Sequence, residues 1–454
     1  PFLALLPLFA VYALMPLAVL AGRLAGRPEV AQHFGPRGLT LWLALAGLAL
    51  VVCLGRDLMA RKRPLKSAWT GLVLAAAMAG CVFLLLRLLG PVLSQAQSLA
   101  PLLDELRLPA LVLFAWAWAW SFGAPRREDL ARLGGVLGAI LLLDFLLTAI
   151  MARQLVLGGG FLLGGGQAAS DTLAFLLCLA LSATLDAPDA APDAASKARP
   201  GNGPAVATLH TLSRWLILAG IFVSFSRGGL AAAALIILFL ERGPMQERLA
   251  LFCAGVLGIW MSLALPLART LGTPMGMPLG MPLGSGGELS LTWHLTALLE
   301  AFRVQPGAWL LGLPLGEPMA LAMPDLGGLD WDPEAAGLAV SVFDIPSSWL
   351  RLLAGWGAGG PGLALAGMLA CALHGRRRFG FGLLLATLVL AALTPALHTP
   401  ATAGVLALAC VCAWGPRPRP APEARPAPAP DATNTPNTPN TPNAPNTSVA
   451  PDAH

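Results

Sequence analysis

Residues 216–240 read LILAGIFVSFSRGGLAAAALIILFL, two apolar runs joined by a short polar segment around Arg227. An α-helix needs about 20 apolar residues to cross a bilayer, with a range of about 17 to 25. By that measure, and allowing for short helices, 209–226 and 228–241 are predicted to be two membrane spans. Because almost no loop separates them, the two spans are expected to form a tight helical hairpin.

The same apolar pattern continues along most of the chain. Of the 454 residues, 56% are hydrophobic and 12% are charged, whereas soluble domains carry about 25% charged residues. This composition argues against a water-soluble enzyme. It predicts an all-α, polytopic transmembrane protein with about 12 spans within residues 1–414. The predicted spans are 2–21, 39–55, 69–90, 108–122, 133–151, 171–186, 209–226, 228–241, 249–268, 349–373, 379–394 and 397–414.

The basic residues set the predicted orientation. Most of the 29 Lys and Arg residues, including the clusters at 61–63 and 376–378, fall in loops on the same side of the predicted helices. Cytoplasmic loops are enriched in Lys and Arg, so both termini are predicted to be cytoplasmic. Residues 269–348 then form one long extracytoplasmic loop between spans nine and ten. The Pro-, Asn- and Thr-rich segment 415–454 is predicted to be a disordered cytoplasmic tail.

Part of the long loop has helical periodicity. Residues 291–303 read LTWHLTALLEAFR, with apolar positions at helical spacing. The predicted apolar face consists of Trp293, Ala297, Leu298 and Phe302, and the side chains largely off that face are His294, Glu300 and Arg303. We expect an amphipathic helix at the outer membrane surface, ended by Pro306 and Gly307.

The cysteines do not predict a metal site. All seven lie within predicted spans, and no CxxC motif or Cys/His ligand spacing occurs among them. Isolated cysteines in apolar segments behave as small hydrophobic residues. Neither a disulfide framework nor bound metal is therefore expected.

The segment between spans seven and eight has the composition of an anion site. Ser226 is a suitable N-cap for the following helix, and Gly228 and Gly229 would let a ligand approach the backbone. A helix N-terminus attracts anions, and the Arg227 guanidinium suits phosphate oxygens. The alternative interpretation is an arginine that extends to the membrane surface from a tight hairpin.

These residues resemble a known family. Ser226-Arg227-Gly228 followed by an apolar helix resembles the signature of the O-antigen ligase and O-antigen polymerase superfamily. About twelve spans with one long loop between spans nine and ten is similar to its layout. The stretch 293–316 is similar to its loop pattern of a Trp-led helix, Pro and Gly-x-Gly, and 349–357 resembles its approach to span ten. The resemblance covers roughly residues 130–400.

The resemblance implies glycan transfer at the outer face of the bacterial inner membrane, without metal or cofactor. The donor would be a saccharide on undecaprenyl diphosphate, and the acceptor a hydroxyl of a glycan, lipid or protein. Arg227 would bind the diphosphate, and no nucleic acid is implied. A polysaccharide polymerase of the same superfamily is the nearest alternative. A non-catalytic or transport protein for lipid-linked sugars is the alternative from another class. Proton-coupled transport would favour several acidic residues near the middle of the bilayer, and the sequence offers mainly Asp144.

The sequence departs from the family at the presumed base. The family has a His-Asn pair just before span ten, where this chain has Asp344-Ile-Pro-Ser-Ser-Trp349. Asp344 is the nearest replacement, since a carboxylate can act as a general base when burial raises its pKa. The alternative role for Asp344 is to cap the helix of span ten. His294 is a second candidate base, with an ordinary interfacial histidine as its alternative, and His398 is a third.

The second family arginine, which precedes the loop Trp, is also missing. Arg269 and Arg303 are the two long-loop cations that could supplement Arg227. Each could equally anchor the loop at the membrane surface.

Overall fold

The computed structural model describes most of the predicted spans. The described residues are 2–25, 110–119, 122–152, 167–185, 204–224, 226–242, 244–264, 285–313, 345, 347–374 and 377–414, with the single residues 47, 55, 78 and 82. All belong to the first of two units of the chain, Pro1–Gly415; the second, Pro416–His454, lies outside the described residues. So do most of predicted spans 39–55 and 69–90, most of the long loop, and the predicted tail.

Every regular element among the described residues is a helix, which confirms the all-α prediction. In chain order they are α1 (Phe2–Phe9), a π-helical turn (Ala10–Leu14), α2 (Met15–Leu24), α3 (Ala110–Ala119), α4 (Arg127–Ala152), α5 (Gln167–Thr184), α6 (Pro204–Ser224), α7 (Arg227–Leu240), α8 (Met245–Ala264), α9 (Ser285–Val304), α10 (Ala308–Leu311), α11 (Ser348–Trp356), α12 (Gly359–His374), α13 (Arg377–Leu393), a 3-10 turn (Ala396–His398) and α14 (Pro400–Trp414).

Two of these helical segments are long and apolar enough to cross a membrane, Ala4–Gly22 and Arg127–Leu147. Seven more apolar helices in the described part of the chain have 10–17 residues. Apolar helices therefore occupy the predicted spans that the structure describes, whereas the number of membrane crossings stays a prediction.

Helix α5 is the central helix of the bundle. Every side chain from Leu173 to Leu181 is fully buried, on all faces of the helix. A helix that is apolar all round is stable only when other helices surround it, and α5 packs against α4, α6, α7, α13 and α14. Helix α5 therefore joins these five helices in one bundle.

Glycines let α4 and α6 approach closely. A methyl group on Gly220 would lie 2.8 Å from Gly138 Cα, and one on Gly135 would lie 2.9 Å from Ser213 Cα. Gly134 and Gly138 have the four-residue spacing that allows helix backbones to meet in membrane proteins. Farther along the hairpin, Arg214 of α6 forms a 2.7 Å ion pair with Glu241, just after α7.

Span ten, predicted as one helix over 349–373, is two helices. The break is at Gly357, whose φ of 65° is in the left-handed region that favours glycine. A side chain there would also overlap Leu310 O. The segment 308–313 docks at this break: Leu313 N–H donates to Ala354 O at 2.7 Å, and Ala358 N–H donates to Trp309 O at 2.7 Å. Docking of the long loop thus interrupts the helix.

Candidate functional site

The start of α7 is capped as predicted. Ser226 has an extended backbone, and its Oγ accepts a hydrogen bond from Gly229 N–H at 3.0 Å. The same hydroxyl donates to Asp171 Oδ1 of α5 at 2.5 Å. A serine cap is therefore joined to a carboxylate 55 residues earlier in the chain.

Asp171 is a site residue that the sequence analysis did not identify. Its half-buried carboxylate lies at the N-terminus of α7, where the helix dipole stabilises negative charge. It also interacts electrostatically with the half-buried Arg227. An aspartate before an apolar run was visible in the sequence, but no local pattern paired it with Ser226.

The two glycines after Arg227 also serve helix packing, a role that the sequence analysis did not assign to them. A methyl group on Gly229 would overlap Ala174 Cβ of α5. One on Gly228 would lie 3.1 Å from Leu390 Cδ2 and 3.3 Å from Leu393 Cδ1 of α13. A side chain at either position would therefore meet a neighbouring helix, and the approach of a ligand to this backbone stays a prediction.

The loop helix α9 begins earlier than predicted, and it buries three residues of its predicted apolar face together with His294, which was expected off that face. His294 is only 8% exposed, and Ala297, Leu298 and Phe302 are also buried. His294 therefore lies on the packed side of α9, not off the apolar face, because positions 294, 297, 298 and 302 share one helical stripe. The Phe302 ring stacks on Trp309 with centroids 4.4 Å apart.

The structure describes one of the two long-loop cations, Arg303, and places its side chain at the surface of α9. The Arg303 side chain is 81% exposed and pairs with Glu300 of its own helix at 3.5 Å. This geometry is typical of a solvated surface arginine. Arg269 lies outside the described residues, so its proposed supplementary role stays a prediction.

The approach to α11 is held by two serines. Asp344 and Pro346 lie outside the described residues. The N-cap of α11 is Ser347, whose Oγ accepts from Leu350 N–H at 3.4 Å, so the alternative role of Asp344 as the cap is wrong. Ser348 N–H and Ser348 Oγ both donate to Thr394 O, at 3.0 and 2.9 Å. The segment just after Asp344 is thus fixed to the end of α13.

A buried polar turn lies beside these serines. Ser348 Oγ accepts from Leu397 N–H at 3.0 Å, which ties α11 to the 3-10 turn that ends at His398. His398 is 8% exposed. Thr402 Oγ1 donates to Ala396 O on the same turn. His398, one of the candidate bases, therefore follows directly after a residue bonded to α11.

Arg351 adds a buried cation to α11. It is 7% exposed and lies one turn after Ser348, on the same helix face. A guanidinium keeps its charge at any physiological pH, so this buried group contributes fixed positive charge to α11.

The C-terminal end of α13 brings the two halves of the candidate site together. Leu390 and Leu393 contact Gly228, next to Arg227. Ala391 O accepts from Ser347 Oγ at 3.4 Å, and Thr394 O accepts from Ser348. Residues 390–394 thus contact both the start of α7 and the start of α11.

The described residues contain no cluster of three or more His, Cys, Asp or Glu side chains that could hold a metal ion. A comparison of the chain with protein-family models finds no match, and a comparison with curated proteins finds none either.

Proposed function

We propose that this chain is an O-antigen ligase-like membrane glycosyltransferase. It would move a saccharide from undecaprenyl diphosphate to an acceptor hydroxyl at the outer face of the bacterial inner membrane. The observation that carries the proposal is that residues 390–394 lie against both Ser226-Arg227-Gly228 and the start of α11, two segments more than 100 residues apart in the chain. The resemblance rests on the first segment and on residues 349–357 of the second, and one compact site requires the two to lie close together.

The exposed surface supports a protein that crosses the membrane many times. On α4, the large apolar side chains of Val136, Leu143, Leu146 and Ile150 are exposed, Ile150 by 72%. They are spaced as one helical stripe, while the polar Asp144 of the same helix is buried. Extended apolar stripes of this kind are rare on soluble monomers and fit a lipid-facing surface. We propose about 12 spans with both termini in the cytoplasm.

The proposed reaction needs one anion site and one proton acceptor. The acceptor oxygen attacks the anomeric carbon of the donor sugar, and a new C–O bond forms. The bond from that carbon to the diphosphate oxygen breaks, so undecaprenyl diphosphate leaves with the electron pair. Arg227 stabilises the negative charge on the leaving group, and the acceptor proton passes to a side chain, for which Asp344 is the first candidate.

Transfer by the purified full chain in proteoliposomes tests the proposal. With undecaprenyl-diphosphate-linked glycan and an acceptor, the wild type should release undecaprenyl diphosphate and form a new glycoside. Arg227→Ala should lower transfer at least about 10²-fold, the usual effect of removing one donor to a developing anion. Arg227→Lys should restore only part of it, because a point charge lacks the bidentate guanidinium.

Arg132→Ala is the matched control, since Arg132 is an exposed cation 3.9 Å from Asp129 on its own helix. It should leave transfer unchanged. Full activity of Arg227→Ala would exclude the diphosphate role. Product analysis separates the alternatives: a ligase glycosylates a separate acceptor, a polymerase lengthens the polyprenyl-linked glycan, and a transporter forms no new glycosidic bond.

A further inference from the structure

One face of α5 packs against the N-terminus of α7. Asp171, Ala174 and Cys178 share a helical stripe. Ser226 Oγ bonds to Asp171, Gly229 has room for no side chain against Ala174, and Cys178 Sγ lies 3.6 Å from Gly229 O. Three contacts at successive heights fix the register of α7 on α5, so the Asp171 carboxylate is held at a defined place beside the helix start.

The Ser226 hydroxyl both donates and accepts a hydrogen bond at the N-terminus of α7. Its proton goes to Asp171 Oδ1, and its oxygen accepts from Gly229 N–H. A hydroxyl held by a donor on one side and an acceptor on the other has one favoured orientation. Asp171 therefore fixes the rotamer of the cap.

The Asp171 carboxylate also attracts the Arg227 guanidinium, which follows the Ser226 cap. The charge of Arg227 interacts with Asp171, and both side chains are half-buried. A free arginine side chain loses rotamer entropy when it is immobilised. A nearby carboxylate that restricts the guanidinium before the ligand arrives reduces that loss on binding.

We propose that Asp171 is a positioning residue for Arg227, holding its guanidinium ready for the diphosphate of the lipid-linked donor. Asp171 transfers no proton and contacts no reacting atom; it acts through Arg227 and through the Ser226 cap. The inference rests on the proposed function, because the anion it invokes is the leaving group of that reaction.

The Asp171→Asn substitution tests whether the negative charge of Asp171 positions Arg227. The amide retains an oxygen that accepts from Ser226 Oγ and keeps the size of the side chain, but it removes the negative charge. We expect the KM for the lipid-linked donor to rise roughly tenfold, the usual scale of coupling within one charge network, with kcat little changed. Asp171→Glu should recover part of the loss, and Ser226→Ala, which keeps the carboxylate, should change this KM less than Asp171→Asn does.

A double substitution isolates the coupling. In the Arg227→Ala background, Asp171→Asn should have no further effect on donor binding, because the group it positions is gone. A normal donor KM for Asp171→Asn, or equal fold-losses with and without Arg227, would overturn the inference. If the Asn variant does not fold, the Glu and Ser226→Ala variants carry the comparison of KM with kcat.

Binding of sugar-free undecaprenyl diphosphate to the full chain in nanodiscs separates this inference from the proposed function. Binding that weakens in both Asp171→Asn and Arg227→Ala, in a chain that transfers no saccharide, supports the positioning role and contradicts the enzyme. Normal binding to Asp171→Asn, in a chain that does transfer saccharide, contradicts the positioning role alone. Absence of binding to the wild type contradicts both.

Discussion

Two serine caps lie against the same end of α13 and differ in what holds them. Ser226, at the start of α7, is tied to the carboxylate of Asp171 and precedes the cation Arg227. Ser347, at the start of α11, is tied through its Oγ to the backbone carbonyl of Ala391. The N-terminus of α7 therefore has charged side chains beside its cap, whereas the cap of α11 bonds to a neutral backbone carbonyl.

Because of this difference, we assign different roles to the N-termini of α7 and α11. A cap with a cation and a carboxylate can respond to an incoming anion, because all three groups share one electrostatic field. A cap bonded to helix carbonyls has no charged hydrogen-bond partner and serves to support the start of α11. We therefore expect the α7 start to control donor binding, and the α11 start to hold the segment with Asp344 in place for the acceptor.

The largest expected effect within this comparison is at Asp344. Asp344→Asn keeps the shape of the side chain and removes its proton acceptor, so the transfer rate should fall roughly 10²–10⁴-fold, the usual contribution of a general base. The donor KM should change little, unlike in the Asp171 variant. Steady-state kinetics in proteoliposomes measures both quantities.

His294→Ala and His398→Gln are the built-in comparisons for the base. Both should reduce the rate much less than Asp344→Asn, once folding is checked by thermal unfolding. If His294→Ala abolishes transfer and Asp344→Asn does not, the base lies on α9. Loss of transfer only in His398→Gln would place it on the buried turn after α13.

The next effect is on stability at the α7 start. Gly229→Ala would force Cβ into Ala174, so α7 must shift, and the free energy of unfolding should fall by about 1–3 kcal/mol. Gly228→Ala is the matched control, because its Cβ meets only the ends of the Leu390 and Leu393 side chains. Denaturant unfolding in detergent measures the difference. Equal losses for the two variants would show that the contact with α5 does not govern this region.

The smallest effect separates the two caps directly. Replacing a serine cap by Ala costs about 0.5–2 kcal/mol, and Ser347→Ala should lie at the low end because its two hydrogen bonds are 3.4 Å long. Ser226→Ala should be the more destabilising change, since it removes the donor to a half-buried carboxylate. The two variants are compared by thermal unfolding of the purified chain. A larger loss for Ser347→Ala would reverse the comparison.

Local features of the chain were predictable where they depend on neighbours along the sequence. The apolar runs predicted the described helices, and Ser226 was identified as a cap from its position before an apolar run. The burial of His294 was missed, because a histidine beside the predicted apolar positions was assigned to the polar side of α9. The break at Gly357 was missed because it depends on Leu310 and Trp309, which dock from the long loop.

The amino-acid sequence by itself determined the all-α class and the capping serine at the start of α7. These features follow from hydrophobic periodicity and from hydrogen bonds that span only a few residues. Only the tertiary structure decided that Asp171 bonds to Ser226, that Gly228 and Gly229 pack against helices, and that 390–394 joins the two serine-capped starts. Those contacts join residues far apart in the chain, and helix packing, which no local pattern encodes, sets which side chains meet.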